Sequence, residues 1–88
     1  MRIISPTRQF DRDLKKLLKR KKEISKLKAV VDLLSGEGRL PLKYKPHALV
    51  GDWIPCWDCH IEPDWLLIYQ VTETHVYLFR IGSHSDLF

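Results

Sequence analysis

Hydrophobic positions along the chain follow two different rhythms. In the first half they recur at helical spacing: Phe10, Leu14, Leu17 and Leu18 form one stripe, and Ile24, Leu27, Val30, Val31 and Leu34 form a second. Residues three and four apart share a face of an α-helix, so each stripe predicts an amphipathic helix with one side to bury. Ser5-Pro6-Thr7 reads as the start of the first helix, with a Ser5 hydroxyl cap followed by proline where no hydrogen bond is lost. Lys21 and Lys22 mark the turn between the helices. Ser35-Gly36 ends the second, Gly36 being free to adopt a left-handed cap. Ahead of both, Arg2-Ile3-Ile4 predicts a short first or edge strand.

Residues 37–52 form a connector rich in turn residues, among them Gly38, Pro41, Pro46 and Gly51. Beyond it the pattern turns aromatic and β-branched. Trp53–His60, Trp65–Val71 and His75–Ile81 predict three strands, joined by the short Glu62-Pro63-Asp64 and Thr72-Glu73-Thr74 connections. Ser83–Phe88 reads as a tail. The order β-α-α-β-β-β predicts an α+β fold, two N-terminal helices on a small, mainly antiparallel sheet. The helices bury their stripes on one sheet face and leave the other partly open. The 88 residues make a single domain, 1–88.

Composition narrows the function classes. With 44% hydrophobic and 30% charged residues, disordered and low-complexity classes fall away. No apolar run approaches the ~20 residues that cross a bilayer, and the N-terminus has no apolar export segment. A cytoplasmic protein with no membrane partner is expected, in which two cysteines make no disulfide framework. The net charge of +4 is unevenly spread: fourteen of the fifteen Lys and Arg lie in residues 1–45 with five acids, a balance of +9. The remainder holds Arg80 and six acids, a balance of −5, together with all four histidines. Arg12, Lys15, Lys16, Lys19, Arg20 and Lys22 are therefore candidates for contact with RNA or the ribosome, against the plainer reading of solvated helix faces.

The acidic half carries the candidate chemistry. Strand alternation places Val76, Leu78, Arg80 and Gly82 on one side, with His84 following, and Asp58 and His60 on one side of the first predicted strand. His60 and Arg80 then converge on the open face, with Asp64 at the adjoining turn and His47 at the rim. Such a set suits RNA cleavage. The ribose 2′-hydroxyl must lose a proton as it attacks phosphorus, and the leaving 5′-oxygen must gain one. Histidines ordinarily titrate near working pH and can supply both transfers. An arginine fork holds two phosphate oxygens where negative charge develops. Phe88 can stack on an unpaired base. With the substrate's own hydroxyl as nucleophile, no metal or other cofactor is required. The competing structural readings are surface histidines, an Arg80 ion pair with Asp58, Asp64 or Glu62, and Trp53, Trp57, Trp65, Tyr69 and Phe79 as core.

Cys56-Trp57-Asp58-Cys59-His60 also fits the C-x-x-C-H pattern of covalent haem attachment. A strand would send Cys56 and Cys59 to opposite faces, Met1 is the only methionine, and no export segment is seen, so no haem is expected. No second C-x-x-C supports a zinc site with His60 and His47. A thioredoxin-like pair would need to open a helix, so two buried thiols are expected.

Three segments carry a resemblance to a known family. His60-Ile61-Glu62-Pro63-Asp64-Trp65-Leu66-Leu67-Ile68-Tyr69 resembles the H-x-E-P-D-W-[IL]-L-I-Y signature of the YafQ branch of the RelE-type toxins. Lys45–Trp53 is similar to that family's loop of a histidine followed by L-x-G-x-W. Arg80–Phe88 is similar to its R-x-G-[ST]-H-x-x-L-F ending. The resemblance covers essentially the whole chain; only Cys56 and Cys59 look particular to it. It implies a RelE-like, microbial-RNase-like fold and cutting of mRNA in the ribosomal A site. It also implies a cognate antitoxin that covers the active site. Site residues implied by it are His47, His60, Asp64, Arg80, His84 and Phe88. His84 is a main proton-transfer group, His47 and His60 assist, Arg80 stabilises phosphate and Asp64 sets a histidine's tautomer. Trp65 is read as support. A non-catalytic relative, gyrase-directed or RNA-binding only, is the alternative, and the converging His/Arg set argues against it.

Overall fold

The computed structural model describes residues 1–88. Its elements run β1 (Ile3–Pro6), α1 (Arg8–Lys19), α2 (Ile24–Glu37), β2 (His47–Ala48), β3 (Trp57–Glu62), β4 (Trp65–Val71), β5 (His75–Gly82) and α3 (His84–Leu87). Single 3₁₀ turns occupy Leu42–Tyr44 and Gly51–Trp53. The strands form one sheet in the order β1-β5-β4-β3-β2. All neighbours are antiparallel except β1 and β5, which run parallel; α1 and α2 carry the chain from β1 at one edge of the sheet to β2 at the other. The expected α+β plan is thus the observed one.

Both helices bury their stripes on the same side of the sheet. Phe10, Leu17, Leu27, Val30 and Leu34 meet Cys59, Trp65, Leu67, Tyr69, Val76, Leu78 and Ile81 in the main core. On the opposite face a smaller cluster joins Cys56, Leu66, Ile68 and Leu87, flanked by Leu49, Trp53 and Phe79. Strand β4 is therefore buried on both faces from Trp65 to Tyr69, which explains its unbroken apolar run. The face expected to be partly open is covered in its middle by α3 and the loop around Leu49 and Trp53.

Several local expectations are corrected. The α1 cap is Thr7, whose hydroxyl accepts the Phe10 N–H, while Pro6 closes β1. Ser5 and Pro6 stay extended because β1 pairs with β5 through Pro6, opposite Leu78. Helix α2 runs through Gly36 and stops at Gly38, which takes the left-handed conformation (φ +75°). Leu18 is 55% and Trp57 43% exposed, so neither is core. The first long strand starts at Trp57 rather than Trp53, because a 3₁₀ turn takes Gly51–Trp53. The C-terminal tail is a helix, closed by reciprocal hydrogen bonds between Ser83 and Asp86.

Candidate active site

Residues directly opposite each other on paired strands share a face of the sheet. His47 is opposite Asp58, Asp58 opposite Ile68, and Ile68 opposite Arg80. These four form one row across β2, β3, β4 and β5 on the face away from α1 and α2. The next row is His60, Leu66 and Gly82, and His84 follows at the first residue of α3.

Arg80 belongs to this row because of an irregularity that strand alternation does not foresee. Ile68 pairs with Arg80 but Tyr69 pairs with Leu78, so Phe79 is an extra residue in β5. A one-residue bulge reverses facing. Val76 and Leu78 point into the helix-side core, whereas Arg80 lies on the opposite side with Ile68. Val76, Leu78 and Arg80 therefore do not share the face expected of them.

Each histidine has a distinct setting. Nδ1 of His47 lies 3.1 Å from the Lys45 carbonyl and Nε2 lies 2.8 Å from Asp58 Oδ1. A carbonyl can only accept, so Nδ1 carries a hydrogen, and the short Nε2–carboxylate approach requires a second proton on one partner. Asp58 is 4% exposed, and its Oδ1 has no aligned hydrogen-bond donor, the His47 approach being a charge contact rather than a hydrogen bond. Burial pushes its carboxyl above the usual range, opposed by the charges of His47, His60 and His84. His60, half buried, lies with Nδ1 3.2 Å from the Pro63 carbonyl. In the neutral ring that bond places the hydrogen on Nδ1 and leaves Nε2 as the acceptor. His84 is exposed, with its ring centroid 5.2 Å from that of Phe88. Phe88 also meets Trp53 edge-on at 6.0 Å.

The carboxylates do not keep the roles expected of them. Asp64 accepts the backbone N–H of His84 at 2.9 Å and touches no imidazole nitrogen. It holds the start of α3 in place rather than setting a tautomer. Asp58, considered only as an Arg80 partner, is the carboxylate that meets a histidine ring. Arg80 pairs with none of Asp58, Asp64 or Glu62. Its Nε and one Nη donate to Asp13 at 2.7 and 3.2 Å. Both missed acids leave a trace in the sequence: Asp58 interrupts an aromatic and thiol-rich strand beside His60, and Asp13 sits three residues after Phe10 and four before Leu17, on the apolar stripe of α1.

Of the candidate RNA-contacting cations, Arg12, Lys15, Lys16 and Lys19 are exposed and make no ion pair. Arg20 is held by Asp86, and Lys22 by Glu62 with its ammonium 5.5 Å over the Trp65 ring. Cys56 and Cys59 lie in separate clusters on opposite sides of the sheet. Burial, joined by the Asp58 charge, pushes the Cys59 thiol up to about 12.

The model of a family described as the bacterial toxin YafQ of type II toxin–antitoxin systems matches residues 2–88. The mRNA interferase toxin YafQ of Escherichia coli K12 is 41% identical over 88 residues, covering 99% of this chain and 96% of that one. Among solved structures, the E. coli DinJ–YafQ toxin–antitoxin complex matches with TM-score 0.90 and 41% identity, over 99% of this chain and 97% of that chain. A metal-bound toxin from Helicobacter pylori matches with TM-score 0.91 and 42% identity over 100% of both chains.

Proposed function

The chain belongs to the YafQ family of type II toxin–antitoxin toxins and is an mRNA interferase, an endoribonuclease; from that premise we propose that it cuts mRNA in the ribosomal A site, in the cytoplasm, without a metal, through the substrate's own 2′-hydroxyl. The observation that carries this reading is the row His47, Asp58, Ile68 and Arg80, with His60 beside it and His84 at its end. His60 is suited to take the 2′-hydroxyl proton, because its hydrogen is committed to the Pro63 carbonyl and its Nε2 is free. His84 protonates the departing 5′-oxygen. His47, held between Lys45 and Asp58, orients the site and reinforces its positive potential. The remaining donors of Arg80 meet the phosphate as charge builds on it. Phe88, 52% exposed, offers a face on which a base can stack. Arg12, Lys15, Lys16 and Lys19 dock the toxin on ribosomal RNA, and a cognate antitoxin shields the site.

The test maps mRNA 5′ ends in a cell-free translation reaction, with and without the protein, and on the same RNA without ribosomes. In-frame cuts that need translating ribosomes are expected. Equal cutting of naked RNA would remove the ribosome from the mechanism. No cutting in either reaction would return the chain to the non-catalytic alternative.

A further inference from the structure

Past Pro6, β1 leaves the sheet, and the edge of β5 beyond Leu78 loses its strand partner. A carboxylate from α1 fills that gap. Asp13 is 4% exposed and accepts four hydrogen bonds: from Arg80 Nε and Nη, from the Ile81 backbone N–H at 3.2 Å, and from Gln9 Nε2 at 3.1 Å. Desolvation works against its ionised form, and the hydrogen bonds from Arg80, Ile81 and Gln9 outweigh it, so its carboxyl sits below the usual value. The ion is therefore both buried and saturated, which fixes its position.

The pairing uses one side of the Arg80 guanidinium. Of the five guanidinium N–H groups, the Nε one and one on an Nη are spent on Asp13. Three remain, two of them as a parallel pair at the end of the fork. That end can still meet two oxygens of a phosphate in parallel. A free arginine on a sheet face samples many rotamers, and ordering it at the moment of reaction costs entropy. Here that ordering is completed on folding.

We propose that Asp13 is a positioning residue for cleavage: it clamps the Arg80 side chain from α1 so that the free end of the guanidinium is held ready for the scissile phosphate. This rests on the assignment of Arg80 to the phosphate under the proposed function. Asp13 touches no substrate; it acts through Arg80.

A double-mutant cycle on purified protein and programmed ribosomes tests it, reading the cleavage rate at saturating toxin and the half-saturating concentration separately. Asp13→Asn is nearly isosteric, but its single oxygen cannot accept from both nitrogens of the Arg80 fork, because Nε meets Oδ2 and the Nη meets Oδ1. It is expected to lower the saturated rate about 10- to 100-fold with half-saturation unchanged. In an Arg80→Ala background the same change is expected to cost less than about twofold, because the group it positions is gone. Additive losses in the cycle would reduce Asp13 to a structural part of the fold, and an Asp13→Asn protein at full rate would overturn the proposal outright. Circular dichroism reports whether Asp13→Asn folds. If it does not, Gln9→Ala, which removes only the outermost bond to the carboxylate, carries the same cycle: a smaller loss is expected alone and none with Arg80→Ala, and additive losses there also overturn the clamp. An Arg80→Ala protein that cuts at the normal rate would overturn both the clamp and the phosphate role of Arg80, while leaving the nuclease reading intact. Wild-type protein that cuts nothing would instead be a failure of the nuclease reading itself.

Discussion

At the scale of single residues, the site concentrates its cost at Asp58. Its carboxyl is pushed up by burial, so the folded state holds a proton more tightly than the unfolded chain does. For an acid with a raised folded pKa, stability falls as pH climbs from the unfolded value of about 4 through the folded one. Ionised Asp58 thus destabilises the fold at neutral pH, and the neighbouring His47, His60 and His84 offset part of that cost. His47 is 55% exposed at its side chain, so water can solvate it without a partner. Asp58→Asn is therefore expected to leave the melting temperature unchanged or slightly raised while lowering cleavage by about tenfold or more, through loss of the orienting contact. Paired melting and cleavage measurements check this; a large drop in stability would show Asp58 to be a structural ion instead.

At the scale of elements, three carboxylates fasten the segments around the site. Asp13 joins α1 to β5, Asp86 joins α3 to Arg20 after the end of α1, and Glu62 at the end of β3 holds Lys22 and Lys26 around the start of α2. In all three the carboxyl lies below its usual value: hydrogen bonds from Arg20 lower Asp86, those from Lys26 lower Glu62, and those to Asp13 overcome its burial. Acids with depressed folded pKa contribute stability that is fully present above the unfolded value of about 4 and is lost as pH falls through the folded values. Stability is therefore expected to decline below about pH 4. The decline should be shallower in Asp86→Asn, as denaturant titrations at several pH values would report. An unchanged slope in that variant would remove the Arg20–Asp86 bond from the balance. Helix and strand periods were legible in the sequence where one rhythm persisted, as in α1, α2, β4 and most of β5. They failed where a single residue reset the rhythm. The extra Phe79 moves Arg80 to the other face, although the break is visible afterwards as apolar Val76, Leu78 and then Ile81. The C-terminal helix escaped notice because its four residues are too short for a stripe, yet Ser83 and Asp86 at capping spacing announce it. The histidines of the candidate site stood out as a motif, but the partner of Arg80 did not, since Asp13 is distant in sequence and only packing brings the two together.

At the scale of the molecule, the proposed function divides labour along the same line as the chain divides charge. The basic first half presents Arg12, Lys15, Lys16 and Lys19 to solvent with no acid paired to them. The acidic second half holds the histidines. Four unpaired cations that each meet a phosphate give a slope of about −3 when the logarithm of ribosome affinity is plotted against that of salt concentration. A flat plot between low and physiological salt would contradict docking through α1. The same helix carries Asp13, so the surface proposed to find the ribosome and the clamp on Arg80 are one rigid element.

The central claim is that the nucleophile belongs to the substrate and the protein supplies proton transfer and charge. Replacing the one ribose 2′-hydroxyl beside the cut in the A-site codon with hydrogen, in an otherwise unchanged mRNA, addresses it directly. Cleavage at that position should disappear while neighbouring positions remain competent. Continued cutting at the deoxy position would mean that water or another group attacks the phosphorus, and the histidine-centred account would be wrong.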